Sequence, residues 1–219
     1  MNELTLRENI CEVGRLLWER GFVGATDGNI SVRLGEGRFL CTPSNTSKGF
    51  MRPEQILVAD AKGDKVAGEG RVTSEFFTHL AAYEERPDIG AVVHAHPAAA
   101  TALTLVAIET TAPIVPEVIM GLVAIPVCGY ATPGSREGAD VIRQYIRDFD
   151  AVLLDRHGAV TVAATVFEAY LKLEKVEHTA RTLHYAYTLG TPKRLEPKHI
   201  AKLLRGGGGH EGKWETYPF

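Results

Sequence analysis

The chain has 219 residues, of which 45% are apolar and 23% charged, with three cysteines. That is enough apolar chain for one sizeable core, and one domain is the expectation. A net charge of −3 with scattered Lys and Arg argues against broad nucleic-acid or membrane affinity, and no run approaches the roughly 20 apolar residues of a membrane span.

The opening stretch MNELTLRENICEVGRLLWERG is broken by Arg, Glu and Asn throughout, which is unlike a signal peptide. It predicts a helix capped by Thr5 with Glu8 as capping-box partner, carrying Leu6, Ile10, Val13 and Leu17 at helical spacing and stopping at Gly21. GNISVRL (28–34) and GRFLCTP (37–43) read as two strands, and ILVADAKGDKVAGEG (56–70) as a hairpin turning at KGD. SEFFTHLAAYEERP predicts a helix starting at Ser74 and stopping before Pro87. IGAVVHAH (89–96) is a buried strand, and PAAATALTL a helix with Pro97 in its first turn. AIPVCGY (124–130) is a strand and GSREGADVIRQYIRDF a helix opened by Ser135. DAVLLDRHGAVTVAA gives strand, turn and strand. A long amphipathic helix runs from Thr165 to Gly190, and EPKHIAKLL is a last short helix.

Short turns and single helices between strands imply a mixed α/β or α+β domain with a largely antiparallel sheet. Its expected span is 1–205. GGGG at 206–209 introduces a Gly-rich C-terminal tail, 206–219. Cys11, Cys41 and Cys128 form no CxxC pair, so they predict buried free thiols rather than a thiolate zinc site or a redox motif. Free thiols suit a reducing cytosol, and a cytoplasmic protein is the expectation.

His94 and His96 share one face of their strand, because residues i and i+2 point the same way. They are either ordinary polar residues at a strand end or a pair sharing one metal ion at about 2.0–2.1 Å per nitrogen. A third ligand would be His157, at a turn beside the apolar strand AVLLD. His79, His178 and His184 fall on helices, where surface or packing roles are the simpler account. Three histidines leave one metal position open, as catalytic sites require. VTSEFF (72–77) places Thr73, Ser74 and Glu75 at a helix start, either as cap and first-turn acid or as an anion site. GATDGNISVR puts Asn29 after Gly28, where backbone can come close to a ligand. CTPSNTSKG is dense in hydroxyls and amides and carries Lys48.

The pieces GNISVR (28–33), TPS (42–44), TSE (73–75), HAHP (94–97), YATPGS (130–135) and RHGAV (156–160) occur in one order over roughly residues 5 to 190. In that order the chain resembles the class II aldolase/adducin family, and most of all its zinc-dependent L-fuculose-phosphate aldolase branch. The resemblance implies a three-layer αβα sandwich around a mostly antiparallel sheet. It also implies a homotetramer with four-fold symmetry and active sites at subunit interfaces. His94, His96 and His157 become zinc ligands, with Mn2+ or Co2+ as alternative ions, and Glu75 the acid/base that touches the metal when substrate is absent. Asn29, Ser44, Asn45, Thr73 and Ser74 become the phosphate cradle, with Lys48 an addition on charge grounds.

The implied reaction is reversible cleavage of a ketose 1-phosphate, fuculose 1-phosphate or a 5-deoxy-pentulose 1-phosphate, to dihydroxyacetone phosphate and an aldehyde. Zinc would stabilise the enediolate. Two departures from the family matter, the first in the phosphate loop and the second at the aldehyde pocket. The family often has Gly where Asn45 stands, and Asn tolerates positive φ. The assisting tyrosine that a neighbouring subunit lends in the family is missing from the comparable stretch APIVPEVIMG, where Glu117 is the only ionisable side chain. For the family's second assisting tyrosine, near the C-terminus, this chain offers Tyr217. Pentulose-phosphate 4-epimerases of the family carry Asp where this chain has Glu75, and sugar-acid-phosphate decarboxylases share the scaffold. The adducin branch, a non-enzymatic interaction module, lacks the complete metal set that is present here.

Overall fold

A computed structural model describes residues 2–106 and 108–206, with side chains as far as Leu204. The expected Gly-rich tail and Tyr217 lie outside the described residues. Eight strands form one sheet in the order β4-β3-β2-β1-β5-β8-β7-β6. They are β1 (Asn29–Gly35), β2 (Arg38–Cys41), β3 (Leu57–Asp60), β4 (Lys65–Ala67), β5 (Ala91–Ala95), β6 (Val127–Cys128), β7 (Ala151–Leu154) and β8 (Gly158–Ala163). Every pairing is antiparallel except the two-residue β6, which runs parallel to β7.

Seven α-helices complete the described chain: α1 (Glu3–Glu19), α2 (Phe76–Glu85), α3 (Ala98–Thr104), α4 (Pro116–Leu122), α5 (Glu137–Ile146), α6 (Val166–Leu189) and α7 (Pro197–Gly206). Alternation along the strands builds two cores. Ile30, Val32, Val93, Ala95 and Ala159 meet α1, α3, α4 and α6 on one face. Val92, Val152, Val160 and Val162 meet α2 and α5 on the other. This is the expected αβα sandwich. None of the described helices is long and apolar enough to cross a membrane.

Three expected helix starts move. Asn2, not Thr5, caps α1, because its Oδ1 accepts from the Thr5 N–H at 2.8 Å. Helix α2 starts at Phe76, with Glu75 at the cap position and no capping bond from a side chain. Helix α5 starts at Glu137, and Ser135 Oγ accepts from the Glu137 N–H. At α6 the expected start holds: Thr165 and Glu168 form a reciprocal capping box. Helix α4, opened by Pro116, had no periodic run long enough to announce it. Cys41 and Cys128 are buried and Cys11 half-buried, all unpaired. Burial pushes the Cys11 thiol up to about 11 and the other two to about 12, so they behave as small apolar residues.

Candidate active site and metal centre

His94 pairs across the sheet with Asn29 and points to the α2 side, like Val92 two residues before it. The chain turns after Ala95, and His96 N–H donates to Phe22 O. His157 comes from the turn between β7 and β8, where Arg156 sits at φ +58° and His157 N–H returns to Leu154 O. Gly158 permits this closeness: a Cβ there would lie 2.3 Å from Ala95 O and 2.9 Å from His96 Cδ2. Glu75 reaches in from the start of α2. Its Oε2 lies 3.3 Å from His94 Nε2 and its Oε1 3.2 Å from His157 Nε2.

These four side chains fit a metal ion. Their ligand atoms all lie within 4.8 Å of one another. Two nitrogens on a tetrahedral zinc at about 2.0–2.1 Å stand roughly 3.3 Å apart. His94 Nε2 and His96 Nε2 are 3.1 Å apart. His94 Nδ1–H donates to Ala159 O at 3.0 Å, which leaves Nε2 of the neutral ring bare and aimed at the cluster. Burial and the neighbouring His94 push His96 down to about 3, and burial, then His94, lowers His157. Both rings are thus unprotonated ligands at neutral pH. Burial opposes charge on His94, but the Glu75 carboxylate outweighs it and raises that ring. Burial likewise opposes charge on Glu75, and His94, His157 and the Asn29 amide overcome it and hold the carboxyl well below its usual range. An ion arriving here displaces a proton from His94.

A cavity of about 260 Å3 opens beside the cluster. Its wall includes Asn29, Ser44, Asn45, Thr73, Ser74, Glu75, His96 and His157. His94 lies behind it at 2% exposure. The expected phosphate residues are therefore together, though not equally free to bind. Ser74 is exposed and, as a non-cap, keeps its hydroxyl available. Asn45 adopts φ +57°, the left-handed conformation its side chain tolerates. Ser44 Oγ–H donates to Val72 O at 2.9 Å. The Asn29 amide donates to Glu75 Oε2 at 2.7 Å, and its oxygen accepts from His79, leaving one N–H. Gly28 lines the cavity too, and its φ is +71°; a Cβ there would meet Val23 at 2.6 Å and His94 O at 2.9 Å, so packing against β5 also requires glycine.

Three further residues belong to the site. Lys48 is buried in the cavity wall, where its ammonium donates to Thr26 O at 2.9 Å and Thr46 O at 2.6 Å. Asp27 Oδ2 stands 3.7 Å from His96 Nδ1. Of the two roles expected for His79, it takes the buried one, fully enclosed behind Asn29, and adds hydrogen bonds that the sequence did not announce. The spacing Glu75, His79, Tyr83, a polar stripe four residues apart on an apolar helix, places the three on one face but does not name their partners. Glu117 is not in this cavity. It lines a larger groove of about 850 Å3 between α4 and α6, with Arg20 and Lys175.

Residues 8–184 match the family described as Class II Aldolase and Adducin N-terminal domain. The chain belongs to the class II aldolase/adducin family. It is 36% identical to L-fuculose phosphate aldolase of Methanococcus maripaludis over 180 residues, 82% of this chain and 94% of that protein. It is 32% identical to 3-oxo-tetronate 4-phosphate decarboxylase of Haemophilus influenzae over 188 residues, 83% of this chain and 88% of that one. A solved L-fuculose 1-phosphate aldolase superposes with a TM-score of 0.85 at 28% identity, covering 92% of this chain and 95% of its own. The protein is thus an enzyme of the class II aldolase family, with a Glu/His3 group able to hold a metal ion.

Proposed function

We propose that the protein is a metal-dependent aldolase that reversibly cleaves a ketose 1-phosphate, fuculose 1-phosphate or a 5-deoxy-pentulose 1-phosphate, to dihydroxyacetone phosphate and an aldehyde. The observation that carries this reading is the position of Glu75. One carboxylate lies within 3.3 Å of two imidazole nitrogens of the cluster and in the wall of a hydroxyl-rich cavity.

His94, His96 and His157 hold the ion, and three imidazoles with a carboxylate suit zinc, with Mn2+ or Co2+ as substitutes. A bound divalent cation supplies Lewis-acid stabilisation of the charge that develops on the ketose carbonyl oxygen. Glu75 moves a proton at the carbon left behind by cleavage, for which a carboxylate beside the reacting atom is suited. Thr73, Ser74 and Asn45, with Ser44, the free N–H of Asn29 and the backbone at the start of α2, hold the phosphate. Lys48 supplies the positive charge. Anchoring that end fixes a small flexible sugar over the site.

A second reading is favoured by the similarity to the Haemophilus influenzae decarboxylase. Loss of CO2 from a 3-oxo 4-phosphate acid leaves the same three-carbon enediolate, and protonation again gives dihydroxyacetone phosphate. Retro-aldol cleavage needs one thing more, a base for the hydroxyl proton of the departing aldehyde. Glu117 of the same subunit lies in a different groove. Association of copies would bring in another surface. We propose a homotetramer with sites at the interfaces, supported by the exposed Leu105 and Val106 after α3 and Tyr185 and Leu189 on α6. A cytoplasmic setting is supported by three unpaired thiols.

The test is turnover on a panel of ketose 1-phosphates and one 3-oxo acid 4-phosphate, with zinc-loaded and chelator-stripped protein. Zinc-dependent release of dihydroxyacetone phosphate with an aldehyde is the expected result. Release only with CO2 would establish the decarboxylase reading. No release from zinc-loaded protein on any member would overturn both, and isomerised sugar would then identify an epimerase.

A further inference from the structure

Behind the Glu75 carboxylate runs a buried chain of hydrogen bonds. Tyr83 Oη and Ser31 Oγ are 3.0 Å apart, Ser31 Oγ and His79 Nδ1 2.7 Å, His79 Nε2 and Asn29 Oδ1 2.5 Å, and Asn29 Nδ2 and Glu75 Oε2 2.7 Å. The chain zigzags between α2 and β1. Glu75, His79 and Tyr83 recur every four residues on the helix, about 6 Å per step. Asn29 and Ser31 recur every two on the strand, about 6.7 Å per step. The two spacings match, so each strand residue sits between two helix residues.

The chemistry of the groups fixes the direction of every bond. The ionised Glu75 carboxylate accepts only. Asn29 must therefore turn its NH2 toward Glu75 and its carbonyl toward His79. That carbonyl also accepts only, so His79 Nε2 carries the proton. His79 is fully buried, and burial, then His94, pushes its ring down to about 3. The ring is neutral and its Nδ1 is bare. Ser31 Oγ–H must donate to Nδ1, and Tyr83 Oη–H to Ser31. One pattern satisfies all five residues, and its last donor is aimed at Glu75.

We propose that His79 is a positioning residue for the reaction: it locks the Asn29 amide in the one orientation that donates to Glu75 and presents the remaining N–H to the cavity. An asparagine without a partner for its oxygen can flip, turning a carbonyl onto the carboxylate. The flip would rotate Glu75 away from His94 and His157 and remove the cavity-facing donor. His79 prevents it without touching substrate or metal. The inference rests on Glu75 as the acid/base for its kinetic part only, because the orientation of Asn29 is a structural claim of its own.

The kinetic experiment follows exchange of the hydroxymethyl protons of dihydroxyacetone phosphate in D2O by NMR with the zinc-loaded protein. Glu75 takes the proton from carbon, exchanges it with solvent and returns a deuteron, so no aldehyde or oxo acid is required. His79→Phe removes both ring hydrogen bonds in a similar volume. We expect its saturating exchange rate to fall about 10–100-fold with zinc content within about twofold of wild type, and half-saturating substrate to rise because the cavity-facing N–H of Asn29 is lost. His79→Gln, which can offer an amide N–H to Asn29, recovers most of the rate. Should His79→Phe not fold, Ser31→Ala tests the same chain and loses rate for the same reason. A folded, zinc-loaded His79→Phe or Ser31→Ala enzyme with wild-type exchange overturns the proposal. Wild-type protein without exchange would sink the aldolase and decarboxylase readings instead. In that case crystal structures decide: Asn29 turned from Glu75 in His79→Phe sustains the positioning role, and an unmoved amide refutes it.

Discussion

The two ends of helix α2 hold buried charge in opposite ways. At its C-terminal end Arg86 donates to both oxygens of Asp88 at 2.7 Å and to Asp150 Oδ1 at 2.9 Å, and Lys172 meets Asp150 Oδ2 at 2.8 Å. Two cations face two carboxylates, and each named donor ends on an acceptor. At its N-terminal end Glu75 faces three imidazoles whose bare nitrogens converge on one point. The first cluster is complete in itself. The second leaves acceptor atoms facing one another, His94 Nε2 3.1 Å from His96 Nε2 and 3.3 Å from Glu75 Oε2, so a proton or a metal ion must sit among them. Self-sufficiency marks structure, and convergent incompleteness marks function.

Exchanging one atom or side chain at each end gives the largest expected effects. Glu75→Gln keeps the size of the side chain and removes its proton chemistry. Turnover should fall about 10²–10⁴-fold, with zinc content by plasma emission and the melting temperature near those of wild type. Asp150→Ala should do the reverse. Removing one partner of a buried pair costs about 3–5 kcal/mol, read by urea unfolding, while each folded, zinc-loaded site keeps its rate. A Glu75→Gln protein that melts early, or an Asp150→Ala protein that loses zinc, would dissolve the distinction. Its pH dependence has a definite sign. Burial opposes charge on Asp150, but Lys172 and Arg86 outweigh it and hold the carboxyl below its ordinary value. Its stabilisation is therefore full above the unfolded value of about 3.9 and is lost as pH falls through the lower folded value. The acid-unfolding curves of wild type and Asp150→Ala should converge below about pH 4.

A smaller effect comes from the turn that presents His157. The Cβ of Gly158→Ala would press on Ala95 O and His96 together. Overpacking of this kind costs about 1–3 kcal/mol. Because the displaced groups carry His96 and His157, zinc affinity should also fall, roughly tenfold as for a lost supporting contact. Competition with a chromogenic chelator would measure it. Lost stability with unchanged zinc affinity would show that the turn serves the sheet alone.

Much of this site could be read before folding because its residues sit at strand and helix ends with local spacing. His94 and His96 are two apart, Thr73 to Glu75 contiguous, and His157 follows an apolar strand. A mixed α/β domain with a largely antiparallel sheet was legible from alternation and helical period in the same way, and the three-layer arrangement came from the family resemblance. What stayed hidden depends on contacts distant in sequence. His79 meets Asn29 across 50 residues and Ser31 across 48, and a lone histidine on an apolar helix is indistinguishable from packing until those partners are known. Glu117 lies on α4 in another groove of its own subunit, so any part it takes in the site depends on a neighbouring copy. Asn2 displaced Thr5 as the cap because either residue can fill that role and only the backbone chooses.

The smallest effect tests whether Lys48 joins the charge of the cavity to the substrate. Two of its three ammonium hydrogens go to the Thr26 and Thr46 carbonyls, and the third remains for a phosphate oxygen. Burial lowers the ammonium to about 8, with Asp27 and Glu75 pulling back toward charge. A lysine with a lowered value is charged at neutral pH and loses its charge as pH rises through 8. The KM for a ketose 1-phosphate should therefore rise between about pH 8 and 9 in the wild type, while kcat changes little. Lys48→Met should raise that KM roughly tenfold at pH 7, the worth of one hydrogen bond to a charged group, and flatten its rise with pH. The unphosphorylated sugar is the control, and its KM should respond to neither change. If both sugars weaken together, Lys48 holds the loop through Thr26 and Thr46 and the phosphate is held by hydroxyls and backbone alone.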